Sequence, residues 1–301
     1  MNFFDEIQII YNKLKNTNGG KNVDYIPELL NIDPTLYAIS IYTIDGQQFN
    51  IGDYNYEFAI ESCSKVFTLA LALEKFGKKI LKERIGEFTS TKKFNSIFAN
   101  DKSINHTINS FNNGGAMATT SLLYEPNKQH YIKKLVDNMS NFADRKIHIN
   151  HKIYKSEILH TENNLAIAYL LKSYNRFYGD IDTCIDVYTR QCSVMVTTKD
   201  IALMAATLAN NGINPKTKKQ LVNKTNVKYI LNHMYLNGLY NETEQWMNKI
   251  KVPIKSGVSG LLLIVIPGIM GIGIASPPIN KYGNSVKGLK TIKMISKYLK
   301  I

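Results

Sequence analysis

Phe4, Ile7, Ile10, Tyr11 and Leu14 fall at helical spacing in a segment that stops at Gly19-Gly20, and this predicts a first helix within residues 1–20. Two β-rich runs, 36–43 and 48–50, flank Asp45-Gly46 and predict a hairpin. Residues 64–76 read as a strongly apolar helix closed by Gly77, buried on nearly all sides. Helical spacing recurs over 121–140, 157–174 and 198–211, the last with a threonine N-cap and Gly212 as its stop. Residues 89–113 have no clear period and read as a surface loop. From Pro253 the pattern returns to short apolar runs at 252–257, 261–266 and 270–275, with a turn at Pro267-Gly268. An amphipathic helix over 289–301 closes the chain.

Strands at both ends with helices between them predict an α+β fold. An antiparallel sheet assembled from both termini is flanked by helices and carries an inserted, mainly helical lobe. The expected units are residues 1–60 with 235–301 for the sheet, and 61–234 for the helices.

Composition narrows the class. A chain of 301 residues with 44% hydrophobic and 20% charged content is that of an ordinary globular protein. The net charge of +13 is dispersed, and its densest cluster (Lys78, Lys79, Lys82, Arg84) reads as a solvated helix face, so a nucleic-acid partner is not expected. The three cysteines, Cys63, Cys184 and Cys192, lack C-x-x-C spacing and read as small buried side chains. His148 and His151, three apart with no third ligand, read as a surface pair. The N-terminus has no signal-peptide pattern, and 261–275 is too short and broken to span a membrane. A cytoplasmic protein is expected.

The candidate chemistry begins at Glu61-Ser62-Cys63-Ser64-Lys65-Val66-Phe67. A serine three residues before a lysine shares its helix face, so the Lys65 amine can take the proton that makes Ser62 a nucleophile. This S-x-x-K pattern also marks penicillin-binding proteins and class A β-lactamases, whose K-T-G element is matched by Lys255-Ser256-Gly257. Each motif is common when taken alone.

In order along the chain, further segments accompany them: Tyr25-Ile26-Pro27-Glu28-Leu29, Asn113-Gly114-Gly115-Ala116, Ser156-Glu157, Asn164 with Ala166, and Tyr188 with Gln191-Cys192-Ser193. Gly238-Leu239-Tyr240, Lys255-Ser256-Gly257-Val258-Ser259-Gly260 and Gly283-Asn284-Ser285-Val286-Lys287-Gly288 complete the set. With these in one order, the chain resembles the serine-dependent glutaminases, relatives of the β-lactamases. The resemblance implies a serine β-lactamase-like fold and hydrolysis of L-glutamine to L-glutamate and ammonia through an acyl-enzyme. It implies Ser62 as nucleophile, Lys65 as base, and backbone N–H groups of Ser62 and Val258 as oxyanion hole. Asn113, Glu157, Asn164 and Tyr240 match substrate-holding positions, while Tyr25 and Tyr188 match active-site tyrosines, with Tyr188 placed for proton transfer. No metal or organic cofactor is implied, and a homodimer or homotetramer is.

Two departures from the family pattern bear on the chemistry. Glu61 stands where glutamine is usual, and a carboxylate there is expected to favour charged Lys65 and weaken it as a base. Leu261 replaces a glycine and is expected to add bulk near the pocket. The competing readings are a serine hydrolase of another amide, ester or β-lactam, and a relative that binds glutamine without turning it over.

Overall fold

The structure, a computed structural model, describes residues 3–89, 93–100 and 105–301. Its strands are β1 (Ala38–Thr43), β2 (Gln48–Gly52), β3 (Phe58–Ala59), β4 (Met195–Val196), β5 (Ile254–Ser256), β6 (Leu261–Ile266) and β7 (Met270–Ala275). Its α-helices are α1 (Phe3–Leu14), α2 (Pro27–Leu30), α3 (Ser64–Arg84), α4 (Asn113–Leu122), α5 (Lys128–Ala143) and α6 (His151–Ile158). They continue with α7 (Glu162–Ser173), α8 (Ile181–Cys192), α9 (Thr198–Ala209), α10 (Lys224–Asn237), α11 (Thr243–Met247) and α12 (Val286–Leu299).

The main sheet runs β2-β1-β7-β6-β5 and is antiparallel at every pairing, so strands from both ends of the chain meet at its centre. In register, Ala38 faces Ala275 and Ile41 faces Ile272. The period of two sorts β6 cleanly between two cores. Leu262, Ile264 and Ile266 join Ile7, Ile10, Ile292 and Ile295 of α1 and α12 on one face. Leu261, Leu263 and Val265 join the helices on the other. Each such fully buried side chain contributes about 1.5–3 kcal/mol relative to exposure.

Helix α9 lies directly on β7 because that face of the strand carries glycine. A Cβ at Gly271 would stand 2.1 Å from the Ala206 backbone nitrogen, and one at Gly273 would stand 2.4 Å from the Thr198 carbonyl oxygen. The helix starts at a capping box in which Thr197 and Asp200 satisfy each other's backbone amides. Arg145 donates to both Asp200 carboxylate oxygens at 2.8 and 2.7 Å, tying the cap to the end of α5.

Several expectations need correction. The helix expected over 121–140 is two helices, divided near Pro126, with Asn127 capping the second. That expected over 157–174 is also two, so Glu157 ends α6 and Asn164 begins α7. Helices α8 and α10 lie in stretches where no helix was expected. Gly77 does break α3, at φ 77°, but it does not end it, and helix resumes as far as Arg84.

The stretch 89–113, expected on the surface, is partly interior. Its residues 90–92 and 101–104 lie outside the described residues, but Ala99, Thr107, Asn109, Ser110 and Phe111 are buried. Side chains stand in for a ladder there. Asn109 accepts from the Phe111 and Asn112 amides and donates to the Phe88 carbonyl, while Thr107 donates to the Ile85 carbonyl.

Candidate active site

Ser62 sits in a single 3₁₀ turn, Glu61–Cys63, between β3 and α3. Glu61 enters that turn at φ 48°, a left-handed conformation that costs a non-glycine residue of order 1 kcal/mol or more. The turn is fixed from within and from outside. The Ser64 hydroxyl donates to the Glu61 carbonyl at 2.7 Å. From the far end of the sequence, the Ser259 hydroxyl donates to the Ala59 carbonyl at 2.6 Å, and the Cys63 thiol donates to the Lys255 carbonyl at 3.3 Å. Gly257 permits this approach, since a Cβ there would meet the Ile60 carbonyl at 3.0 Å. Among the described residues, neither the Ser62 nor the Val258 amide donates to a backbone acceptor. Both remain available as donors.

Lys65, the second residue of α3, is 1% exposed. Its amine donates to the Asn113 Oδ1 at 2.7 Å and to the Phe111 carbonyl at 3.2 Å. It makes no direct bond to Ser62 among the described residues. The Tyr240 phenol lies close enough to Ser62 to feel its hydroxyl, and it donates to the Ser256 carbonyl at 3.0 Å. A second buried amine, Lys255, donates to that same carbonyl at 2.7 Å and lies 4.5 Å from the Tyr240 ring centroid.

Burial decides the charge state of these groups. It pulls Lys65 from 10.5 down to about 8 and Lys255 down to about 7, the second helped by repulsion from Lys65. Glu61 pushes Lys65 the other way, as anticipated, but the desolvation is larger. The net shift therefore runs opposite to the one the sequence suggested.

In front of Ser62 opens a cavity of about 530 Å³. Tyr25, Asn113, Glu157, Asn164, Tyr188 and Val258 all line it, together with Glu61 and Ser62. Asn113 is the hub of one wall: its amide donates to Asn164 at 3.3 Å, and its Oδ1 accepts from the Tyr188 phenol at 3.4 Å as well as from Lys65. Glu157 accepts from the Ser193 hydroxyl at 3.1 Å, and burial pushes its carboxyl up to about 7. Burial, with repulsion from Glu157, holds Glu61 well above the usual carboxylate range. Tyr25, 53% exposed, stands at the mouth just ahead of α2.

Some expected residues stand elsewhere. Tyr240 does not line this cavity; its ring faces a neighbouring one of about 310 Å³, with only its phenol reaching Ser62. Leu261 is fully buried among the helical core side chains and adds no bulk to the pocket, because the strand period turns it away.

Others were not anticipated. Phe94 and Asn95 line the cavity; the Phe94 carbonyl accepts from the Asn113 amide at 2.9 Å, and its ring lies 4.7 Å from that of Tyr240. Asn163 donates to the Asn95 carbonyl at 2.9 Å. An aromatic in an aperiodic polar stretch was the only signal for Phe94. No group of three or more metal-binding side chains occurs among the described residues, and His148 and His151 are both exposed.

The arrangement joins a serine on a strained turn, buried amines with lowered proton affinity, unclaimed backbone donors, and a polar pocket with carboxyls at one end. The sequence model of the Glutaminase family matches residues 20–301. A glutaminase of Mycobacterium ulcerans (strain Agy99) is 41% identical over 295 residues, covering 97% of this chain and 91% of the relative. The solved structure of the probable glutaminase ybaS superposes with a TM-score of 0.96 at 38% identity, covering 99% of this chain and 96% of its own. That of Mglu in its glutamate form gives 0.93 at 31% identity, covering 99% of this chain and 68% of its own. With the family match spanning nearly the whole chain and the relatives' fold reproduced throughout, this chain belongs to the glutaminase family.

Proposed function

We propose that Ser62 carries the reaction of this glutaminase. Its oxygen attacks the side-chain carbonyl of L-glutamine, the C–N bond breaks with release of ammonia, and water then frees L-glutamate from the Ser62 ester. The observation that best supports this reading is the pair of buried amines around Ser62, Lys65 and Lys255, whose lowered proton affinity suits proton transfer near neutrality.

Lys65 is assigned as the base. Asn113 and the Phe111 carbonyl hold its amine behind the cavity wall, and such contacts commonly tighten onto the nucleophile only when substrate binds. The unclaimed amides of Ser62 and Val258 stabilise the tetrahedral oxyanion. Tyr188 passes a proton to the departing ammonia, and Tyr25 covers the mouth. Glu157 receives the α-ammonium, while Asn113 and Asn164 hold the α-carboxylate. Tyr240, assigned from the resemblance to substrate binding, acts here beside Ser62, its phenol held by the Ser256 carbonyl.

The division into a sheet unit (1–60 with 235–301) and a helical unit (61–234) is part of the same reading, supported by the separate apolar clusters on the two faces of the sheet. So is assembly into a dimer or tetramer, which rests on the resemblance. No helix among the described residues is long and apolar enough to cross a membrane.

Ser62→Ala decides the central claim. Ammonia release from L-glutamine should fall by about a thousandfold or more. Release at the wild-type rate overturns the assignment, and L-asparagine assayed beside it defines the amide accepted.

A further inference from the structure

The left-handed backbone at Glu61 directs a carboxyl into the same cavity that Glu157 enters from α6. Its residue is 4% exposed, and its Oε1 is buried without a hydrogen-bond partner. This chain thus gives one cavity two carboxyls, that of Glu61 buried and that of Glu157 half-buried. The titratable groups around Glu61 are Glu157, Lys65 of α3, Tyr188 and Cys192 of α8, Tyr25 from the mouth and Tyr240 from behind. Cys63 of its own turn completes them. Lys65 alone among them can be a cation, and its attraction draws Glu61 down by less than burial and Glu157 push it up. Two carboxylates facing one cavity repel each other, and here one oxygen of Glu61 is left unsatisfied.

We propose that Glu61 and Glu157 share a proton in the empty enzyme and release it to solvent when the α-ammonium of glutamine enters between them. The entering cation supplies the charge and the hydrogen bonds that the proton supplied before. Glutamine binding is therefore coupled to proton release, and Glu61 is a specificity residue for the ammonium end of the substrate. The role rests on glutamine occupying the cavity at Glu157. The upward displacement of both carboxyls by burial and mutual repulsion fits it.

The test counts protons in protein that cannot turn substrate over. Ser62→Ala and the double variant Ser62→Ala/Glu61→Gln are titrated calorimetrically with L-glutamine at pH 8, in two buffers of different ionisation enthalpy. L-glutamate serves as a second ligand. Ser62→Ala should release close to one proton per glutamine. The double variant should release far less, because Glu157 alone, near 7, is mostly ionised at pH 8 and the half-charged Lys65 is present in both proteins. Glutaramate, which lacks the α-ammonium, should displace no proton in either protein. Equal release from both proteins, no release from Ser62→Ala, or failure of both amino acids to bind would overturn the proposal. Ammonia release in the Ser62→Ala assay reports separately on the nucleophile, so the two readings fail independently.

Discussion

The Lys65 amine lies 2.7 Å from the Oδ1 of Asn113, a neutral acceptor where a carboxylate would also fit. A neutral partner takes the hydrogen bond without anchoring the positive charge, so burial remains free to lower the proton affinity of the lysine. Asn113→Asp should reverse this. A carboxylate at that distance favours the ammonium and should move the acid limb of the kcat/KM profile to higher pH by one unit or more. The position of the limb is the diagnostic quantity, because the amplitude also reflects substrate contacts of residue 113. An unmoved limb would remove Lys65 from the role of base.

In the wild type, the same reasoning fixes the direction of the pH dependence. Only neutral Lys65 accepts a proton, and its value of about 8 places the rise below that pH. Between pH 6 and 7, kcat/KM should climb at least about tenfold, and the share of the rise owed to Lys65 ends above 8. A flat profile over that range would contradict a buried lysine base.

Lys255 makes a prediction about stability. Its folded value of about 7 lies below its ordinary 10.5, so the unfolded chain binds the proton more readily than the folded one. The wild type therefore loses stability from this group as pH falls from about 10.5 to 7, and the loss is complete below that. Lys255→Met has no such term. Denaturant titrations should show the variant gaining on the wild type by roughly 3–5 kcal/mol between pH 10 and pH 7. A constant difference would mean that the amine titrates normally.

Gly271 tests the contact between α9 and the sheet. A valine there would be driven into the Ala206 nitrogen and the Ala202 carbonyl, both backbone atoms that cannot rotate aside. Gly271→Val should cost more than about 3 kcal/mol by thermal or chemical denaturation. The same change at Gly46, whose added Cβ would meet nothing within 4 Å, probes the opposite case. At Gly46 the penalty comes from its φ of 100° alone.

Phe94 probes the wall that sequence periodicity did not reveal. Its ring contacts Tyr240 and its carbonyl holds the Asn113 amide. Phe94→Ala leaves that carbonyl in place but removes the ring from the cavity. KM for glutamine should rise several-fold, with kcat falling less; an unchanged KM would place the ring outside the binding site.

Those residues also mark how far the sequence could be read. Asp45-Gly46, Gly77 and a threonine cap at 197 or 198 were legible because turn and cap chemistry is local, whereas the reciprocal bond from Asp200 was not read. The strands β6 and β7 were legible as apolar runs, though not the order that puts β1 beside β7. Ser62 and Lys255 stood in motifs, whereas Tyr188 and Tyr240 stood out only through resemblance to the family. The charge on Lys65 was misjudged because Glu61 is visible in the sequence and burial is not. Phe94 was hidden for a related reason: its stretch is organised by Asn109 and Thr107 side chains rather than by a repeating backbone pattern.

The bonds from Cys63 to Lys255 and from Ser259 to Ala59 span 192 and 200 residues of sequence. Contacts of that separation close only after the intervening chain has been made and largely ordered. A nascent chain that has emerged only as far as the helices can hold Ser62 on its turn, but it lacks Val258 and both clasps. Hydrolytic competence thus waits for residues 254–275, which supply Val258, both clasp partners and the strand that pairs with β1.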